Sequence, residues 1–162
     1  MKLLATLAGV ALLVLAPVAI AQKAAPQPLE SQIEQRKVVR AADGTESLVP
    51  ADNVKPGDVI EYAATYRNTT RQPLSRLEAT LPIPSETEYI PGSARPAGAK
   101  ASTDGRTFAE LPLKRTVKRN GADVEELVPP SEYRSLRWYP GELAGEKSIT
   151  YTARVRVVEI RK

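Results

Sequence analysis

The sequence predicts an all-β protein of antiparallel strands, a sandwich or a barrel. Two patterns carry this. Apolar residues recur at every second position through Ile60–Tyr66, Leu77–Ile83 and Ile149–Val157, the period at which a strand buries one face. Turn pairs punctuate the runs at Asp43-Gly44, Pro56-Gly57, Pro91-Gly92, Asn120-Gly121 and Pro140-Gly141, as expected where short strands reverse direction. No stretch beyond the N-terminal apolar run has a convincing helical period.

Met1-Lys2 gives a positive start, Leu3–Leu15 is almost unbroken apolar sequence, and Ala19-Ile20-Ala21 is a small-x-small site before Gln22. This is the layout of a cleaved secretory signal peptide over 1–21. The 19 residues from Leu3 to Ala21 approach the length of a membrane span, but Pro17 interrupts them. Cleavage leaves a chain of 141 residues with no further span. That length suits one domain able to bury a core without covalent staples.

Residues 22–30, including Lys23-Ala24-Ala25-Pro26-Gln27-Pro28, read as a flexible leader, and 31–162 as a single domain. Glu30, Glu34 and Arg36 would tolerate a helix, but Lys37-Val38-Val39-Arg40 favours a strand from Ile33 to Arg40. Asp43-Gly44 then turns the chain into a short return strand, Glu46–Pro50. Lys55-Pro56-Gly57-Asp58 is a turn in which Pro56 presets φ and Gly57 accepts a positive φ. It opens a strand with Ile60, Tyr62, Ala64 and Tyr66 inward, and Asn68–Pro73 is a polar loop.

The next strand has Leu77, Ala79, Leu81 and Ile83 inward, and Pro82 and Pro84 place its end at a sheet edge. Ala94–Asp104 reads as a loop and Thr107–Leu113 as a weak strand. Lys114–Lys118 and Val124–Val128 flank Asn120-Gly121, a strong hairpin signal. Leu136 and Trp138 alternate with Arg137, Tyr139–Glu142 reads as a turn, and Ile149–Val157 is the last strand. Trp138 is the expected core anchor.

The order of these elements resembles a bacterial surface repeat, the domain of unknown function 11 family. The residues concerned are Pro56-Gly57-Asp58 before Val59-Ile60-Glu61-Tyr62, then Tyr66-Arg67-Asn68-Thr69, Leu81-Pro82 and Tyr89-Ile90-Pro91-Gly92-Ser93. The ending also fits: Leu136-Arg137-Trp138, Gly141-Glu142-Leu143, Gly145-Glu146 and Ile149-Thr150-Tyr151. The resemblance covers Ala51–Val158 and implies an immunoglobulin-like antiparallel β-sandwich with no shared catalytic residues. The hairpin from Lys114 to Pro130 has no place in the family pattern.

Composition narrows function more than any motif does. The chain has no Cys and no His, which removes thiolate nucleophiles, disulfides, the usual general base and the commonest metal ligand. Without His a serine triad would need a lysine base, and no Ser-x-x-Lys occurs. Glu30, Glu34, Glu125, Glu126 and Glu142 supply carboxylates with nothing to fix a pair for glycoside hydrolysis. Asp43, Asp52, Asp58, Asp104 and Asp123 sit at turns, where Asp bonds its own backbone more often than calcium. Asn68-Thr69-Thr70 matches a glycosylation acceptor and reads as a loop.

These observations predict a non-enzymatic, exported module of a bacterial envelope, periplasmic first and cell-surface or extracellular second, with no cofactor and no metal. A structural or adhesion role at the surface is the alternative, and an envelope hydrolase a distant third. After cleavage, 22 basic residues face 19 acidic ones, too mild a balance for nucleic acid. The expected partner is another envelope protein or an anionic envelope polymer. Lys114, Arg115, Lys118 and Arg119 are the candidate partner-binding residues, although basic side chains on an exposed hairpin also block edge-to-edge aggregation.

Overall fold

The computed structural model describes residues 27–159, so the expected signal peptide and leader residues 22–26 lie outside the described residues. Two antiparallel sheets pack face to face. The larger has five strands in the order β2 (Glu46–Pro50), β1 (Leu29–Arg40), β3 (Val59–Asn68), β11 (Ser148–Val157) and β5 (Thr87–Tyr89). The smaller is ordered β4 (Leu74–Pro82), β10 (Ser135–Leu143), β6 (Lys100–Ser102) and β7 (Ala109–Glu110). A separate hairpin, β8 (Lys114–Arg119) with β9 (Ala122–Leu127), stands off both sheets. This is the all-β sandwich that the alternation predicts, and among the described residues no helix is long and apolar enough to cross a membrane.

The core lies where the inward faces meet. Ile60, Ala64, Tyr151, Ala153 and Val155 of the larger sheet pack on Ala79, Leu81, Leu136 and Trp138 of the smaller. The Trp138 and Tyr151 rings meet at a tilt of 34° with centroids 4.8 Å apart, and Trp138 Nε1 donates to the Pro96 carbonyl at 2.8 Å. The indole thus buries its ring without orphaning its donor. The Pro56-Gly57 turn forms as expected: Asp58 N donates to the Lys55 carbonyl at 3.0 Å, and Gly57 has φ 93°.

Several elements differ from the sequence reading, which also gave no strand at β5. β1 begins at Leu29 rather than Ile33, inside the stretch read as leader, because ten-residue β3 offers it a partner as far as Asn68. β6 forms within the expected loop Ala94–Asp104, where buried Ala101 and Ser102 are small enough for their backbone to pair with β10. Thr107–Leu113 shrinks to the two residues of β7. Tyr139–Glu142 does not end a strand: β10 runs through it with register shifts against β4, and Gly141 takes φ 79°. A bulge absorbs the Pro-Gly pair.

Asn68 ties three segments together and is fully buried. Its Nδ2 donates to the carbonyls of Gln72, Leu143 and Ala144, at 2.7, 3.0 and 3.2 Å, and its Oδ1 accepts from Thr70 N at 2.9 Å. A sugar cannot be attached to an amide so occupied. Beside it Gly145 lies against the Arg71 carbonyl so closely that any Cβ would collide. This is a close backbone approach that only glycine permits.

Candidate functional site

The hairpin forms around Asn120 and Gly121, both left-handed at φ 51° and 82°, which is the two-residue turn the Asn-Gly pair favours. Register then decides which charges meet. Arg115 lies opposite Glu126, Lys118 opposite Asp123, and Thr116 opposite Glu125. The expected faces hold, with Lys114, Thr116 and Lys118 on one and Arg115, Val117 and Arg119 on the other.

Each of the four candidate basic residues is ion-paired. Lys114 Nζ meets Glu125 at 2.8 Å and Lys118 Nζ meets Asp123 at 2.8 Å. Arg119 donates to Glu126 at 2.9 Å. Arg115 forks, with Nε to Glu126 at 2.9 Å and Nη1 to Glu132 at 2.7 Å. The two arginines hold the Glu126 carboxyl below its ordinary range, Arg115 most strongly. Four positive charges are met by Asp123, Glu125, Glu126 and Glu132, so the basic run read from the sequence is not a free basic patch. Exposed pairs of this kind add little stability singly. Their effect here is on shape, because Arg115 ties the hairpin to the short 3₁₀ turn Pro130–Glu132.

The base of the hairpin is apolar. Leu113 and Val128 are buried and joined by a 2.9 Å hydrogen bond from Val128 N to the Leu113 carbonyl. Between this base and the loop that follows β5 lies a groove of about 680 Å³, a volume typical of ligand sites. Tyr89 and Tyr133 contribute buried rings, Leu111 and Pro112 one wall, and Leu127 and Pro130 the rim. Leu127 is 61% exposed although it is a large apolar side chain. The groove's charged lining residues are Arg95 and Glu110, and no pair of carboxylates faces across it.

A smaller recess of about 360 Å³ lies beside it and shares Pro91, Gly92 and Arg95. Its Arg154 and Glu61 are ion-paired. Arg154 bonds Glu61 at 2.9 Å and Glu46 at 2.7 Å, and Ser93 Oγ accepts from Arg154 N at 2.9 Å.

The turn aspartates serve the backbone. Asp43 accepts from Thr45 N at 2.9 Å, and Asp58 accepts from Lys55 N at 2.8 Å and from Lys37 Nζ at 2.7 Å. Asp104 accepts from the amides of Arg106 and Thr107, both at 2.8 Å. These donors, with Ser102, pull its carboxyl down to about 2. Among the described residues no group of three or more metal-type side chains comes together. Glu30 and Glu34 each face an arginine, Arg67 at 4.0 Å and Arg36 at 3.6 Å.

The groove is what the sequence reading missed, because much of its lining is Pro, Gly and Ala that read only as turns, and its aromatic and aliphatic residues come from distant segments. The available signal was Leu127-Val128-Pro129-Pro130, an apolar end on a strand otherwise charged. No family model matches the chain, and no curated protein is a significant match to it.

Proposed function

We propose that this chain is an exported, non-enzymatic envelope module that grips an extended apolar segment of another envelope protein in the groove beneath the β8–β9 hairpin. The observation that carries this is the pairing of an open apolar groove with a hairpin whose four cations are each ion-paired. An anionic polymer would need cations free of internal partners, and the four basic residues have acidic ones. An apolar strand needs what the groove offers: aromatic and aliphatic walls and little charge to desolvate.

The bacterial-envelope setting rests on the signal-like N terminus and on the resemblance of Ala51–Val158 to the surface repeats. A non-catalytic role rests on the chemistry of the groove, whose charged lining groups are a single carboxylate and a guanidinium. Cell fractionation tests the setting: recovery in the periplasm is expected, and recovery in the cytoplasm counts against export.

The partner claim is tested by placing a photo-crosslinking residue at position 127 in the producing cell. An adduct with an exported protein is expected, mapping to an extended apolar segment. A synthetic peptide of that segment should bind the purified chain, and Leu127→Asp should weaken it at least tenfold. Leu127 is exposed, so this change leaves the core intact. Adducts no more abundant than from position 71, in the β3–β4 loop, would overturn the proposal. So would peptide binding that Leu127→Asp leaves unchanged.

A further inference from the structure

One edge of the larger sheet is left open. β1 pairs with β3 over Leu29–Val38 but with β2 only over Arg36–Arg40. Among the described residues nothing pairs with the other side of Leu29–Gln35. Parity along β1 tells which main-chain groups face outward. Ala41 N donates to the Thr45 carbonyl at 2.9 Å and the Ala41 carbonyl accepts from Gly44 N at 3.0 Å, both on the β2 side. The register is continuous from there to Leu29. Every second residue back from Ala41 therefore points both groups the same way, which selects Gln35, Ile33, Ser31 and Leu29. The β3 side agrees, since the Pro28 carbonyl accepts from Thr69 N at 3.0 Å.

The other edges of the two larger sheets are blunted. β2 is five residues long and ends in Pro50, β5 has three residues and β7 two. β4 is longer, but Arg76 takes φ 57° within it and the register against β10 slips nearby. Short strands, proline and bulges are the usual defences of an edge. The open part of β1 has none of them, and its inward-facing side chains, Leu29, Ser31, Ile33 and Gln35, carry no charge. Ile33 lies opposite core residue Ala64, hence on the same face, yet remains 50% exposed.

We propose that the chain forms a two-fold dimer through antiparallel β1–β1 pairing centred on Ser31. Charge and space select the centre. Centred on Ile33, Glu30 of the second copy would take the position beside Arg36 that Pro50 holds. Centred on Gln32, Glu30 would oppose Glu34 twice; centred on Glu30, two glutamates would meet. Like charges directly opposed destabilise a sheet. Centred on Ser31, Leu29 meets Ile33 twice, Glu30 meets Gln32 twice, and no like charges are opposed. About six main-chain hydrogen bonds then join two five-stranded sheets into one. The contact is smaller than a standard interface, so the dimer depends on concentration. It is independent of the groove.

The chain has no cysteine, so single cysteines report the register without background. Directly opposed residues lie about 5.5 Å apart at Cα, within disulfide range. Mild oxidation of the purified Ser31→Cys chain is expected to give a disulfide dimer at least tenfold faster than Gln35→Cys. Sedimentation should show the wild-type dimer growing with concentration. Ser31→Lys, which sets two ammonium groups at the axis, and Ile33→Pro, which removes an outward N–H but no bond to β3, should stay monomeric with unchanged circular dichroism. A wild-type chain still monomeric at about 1 mM, the weak end of association, overturns the proposal. So does equal cross-linking from positions 31 and 35, or dimerisation that Ser31→Lys does not weaken.

Discussion

Tyr89 and Tyr133 stack 5.8 Å apart with their rings 24° from parallel, each 2% exposed, but only one hydroxyl is bonded. Tyr133 Oη accepts from Leu113 N at 3.0 Å. The buried Tyr89 hydroxyl meets no hydrogen-bonding group among the described residues. A buried polar group without a partner costs about 1–3 kcal/mol, whereas removing one half of a bond orphans the other half. The two tyrosine-to-phenylalanine changes should therefore have opposite signs. Tyr89→Phe should be neutral or raise stability by about 1 kcal/mol. Tyr133→Phe strands the Leu113 amide and should lower it by about 1–2 kcal/mol. Urea denaturation of the two variants checks this, and a loss in Tyr89→Phe would show that its hydroxyl is used.

Asn68 gives a second prediction. Its amide is donor to three carbonyls and acceptor for Thr70, and the residue is fully buried. Asn68→Ala should cost about 3 kcal/mol, or roughly 10 °C in melting temperature. Asn68→Asp keeps the shape but turns an acceptor toward the carbonyls of Leu143 and Ala144, and should cost more. Thermal melts of the two variants separate lost volume from lost donor capacity.

Most strands were legible because this fold declares itself locally. The alternation of Ile60 to Tyr66 and of Leu77 to Ile83 placed their faces correctly, and Asn120-Gly121 placed the hairpin turn. β6 was not legible, because Lys100-Ala101-Ser102 has no strand propensity of its own and pairs only because β10 lies beside it. Pro140-Gly141 misled because the same dipeptide serves a turn or a bulge, and the neighbouring strand decides which. The basic run was visible and its neutralisation was not. Glu125 and Glu126 reach Lys114 and Arg115 through hairpin register, and Glu132 reaches Arg115 only through tertiary packing.

Acid should destabilise the domain in a defined window. The amides of Arg106 and Thr107, with Ser102, hold Asp104 at about 2 against an ordinary 3.8. Asp58 is lowered by Lys37 and the Lys55 amide, and Glu126 by Arg115 and Arg119. A carboxylate whose pKa is lower folded than unfolded binds protons more weakly in the folded chain. Its contribution is complete above the unfolded value and is lost as pH falls toward the folded one. Melting temperature should hold above about pH 5 and fall progressively toward pH 2. Asp104→Asn should flatten the lower part of that limb. Melts from pH 7 to pH 2 check it, and parallel acid limbs would refute the assignment to Asp104.

The hairpin's neutrality is itself testable, and the test divides the two partner classes that the sequence leaves open. Lys114, Arg115, Lys118 and Arg119 are matched by Asp123, Glu125, Glu126 and Glu132 at 2.7–2.9 Å. The wild-type chain should then pass a sulfated polysaccharide resin near physiological salt, where exposed charges more than about 8 Å away are screened. Replacing Asp123 by Asn and Glu125 and Glu126 by Gln removes three of the four negative charges and keeps side-chain size. That variant should be retained and should elute with rising salt, because Lys114, Lys118 and Arg119 now face solvent unmatched while Glu132 still holds Arg115. Arg115→Ala should leave the resin behaviour unchanged but raise amide exchange through β8 and β9, since Arg115 is what joins them to Glu132. Retention of the wild-type chain equal to that of the triple variant would favour the anionic polymer as partner over an apolar protein segment.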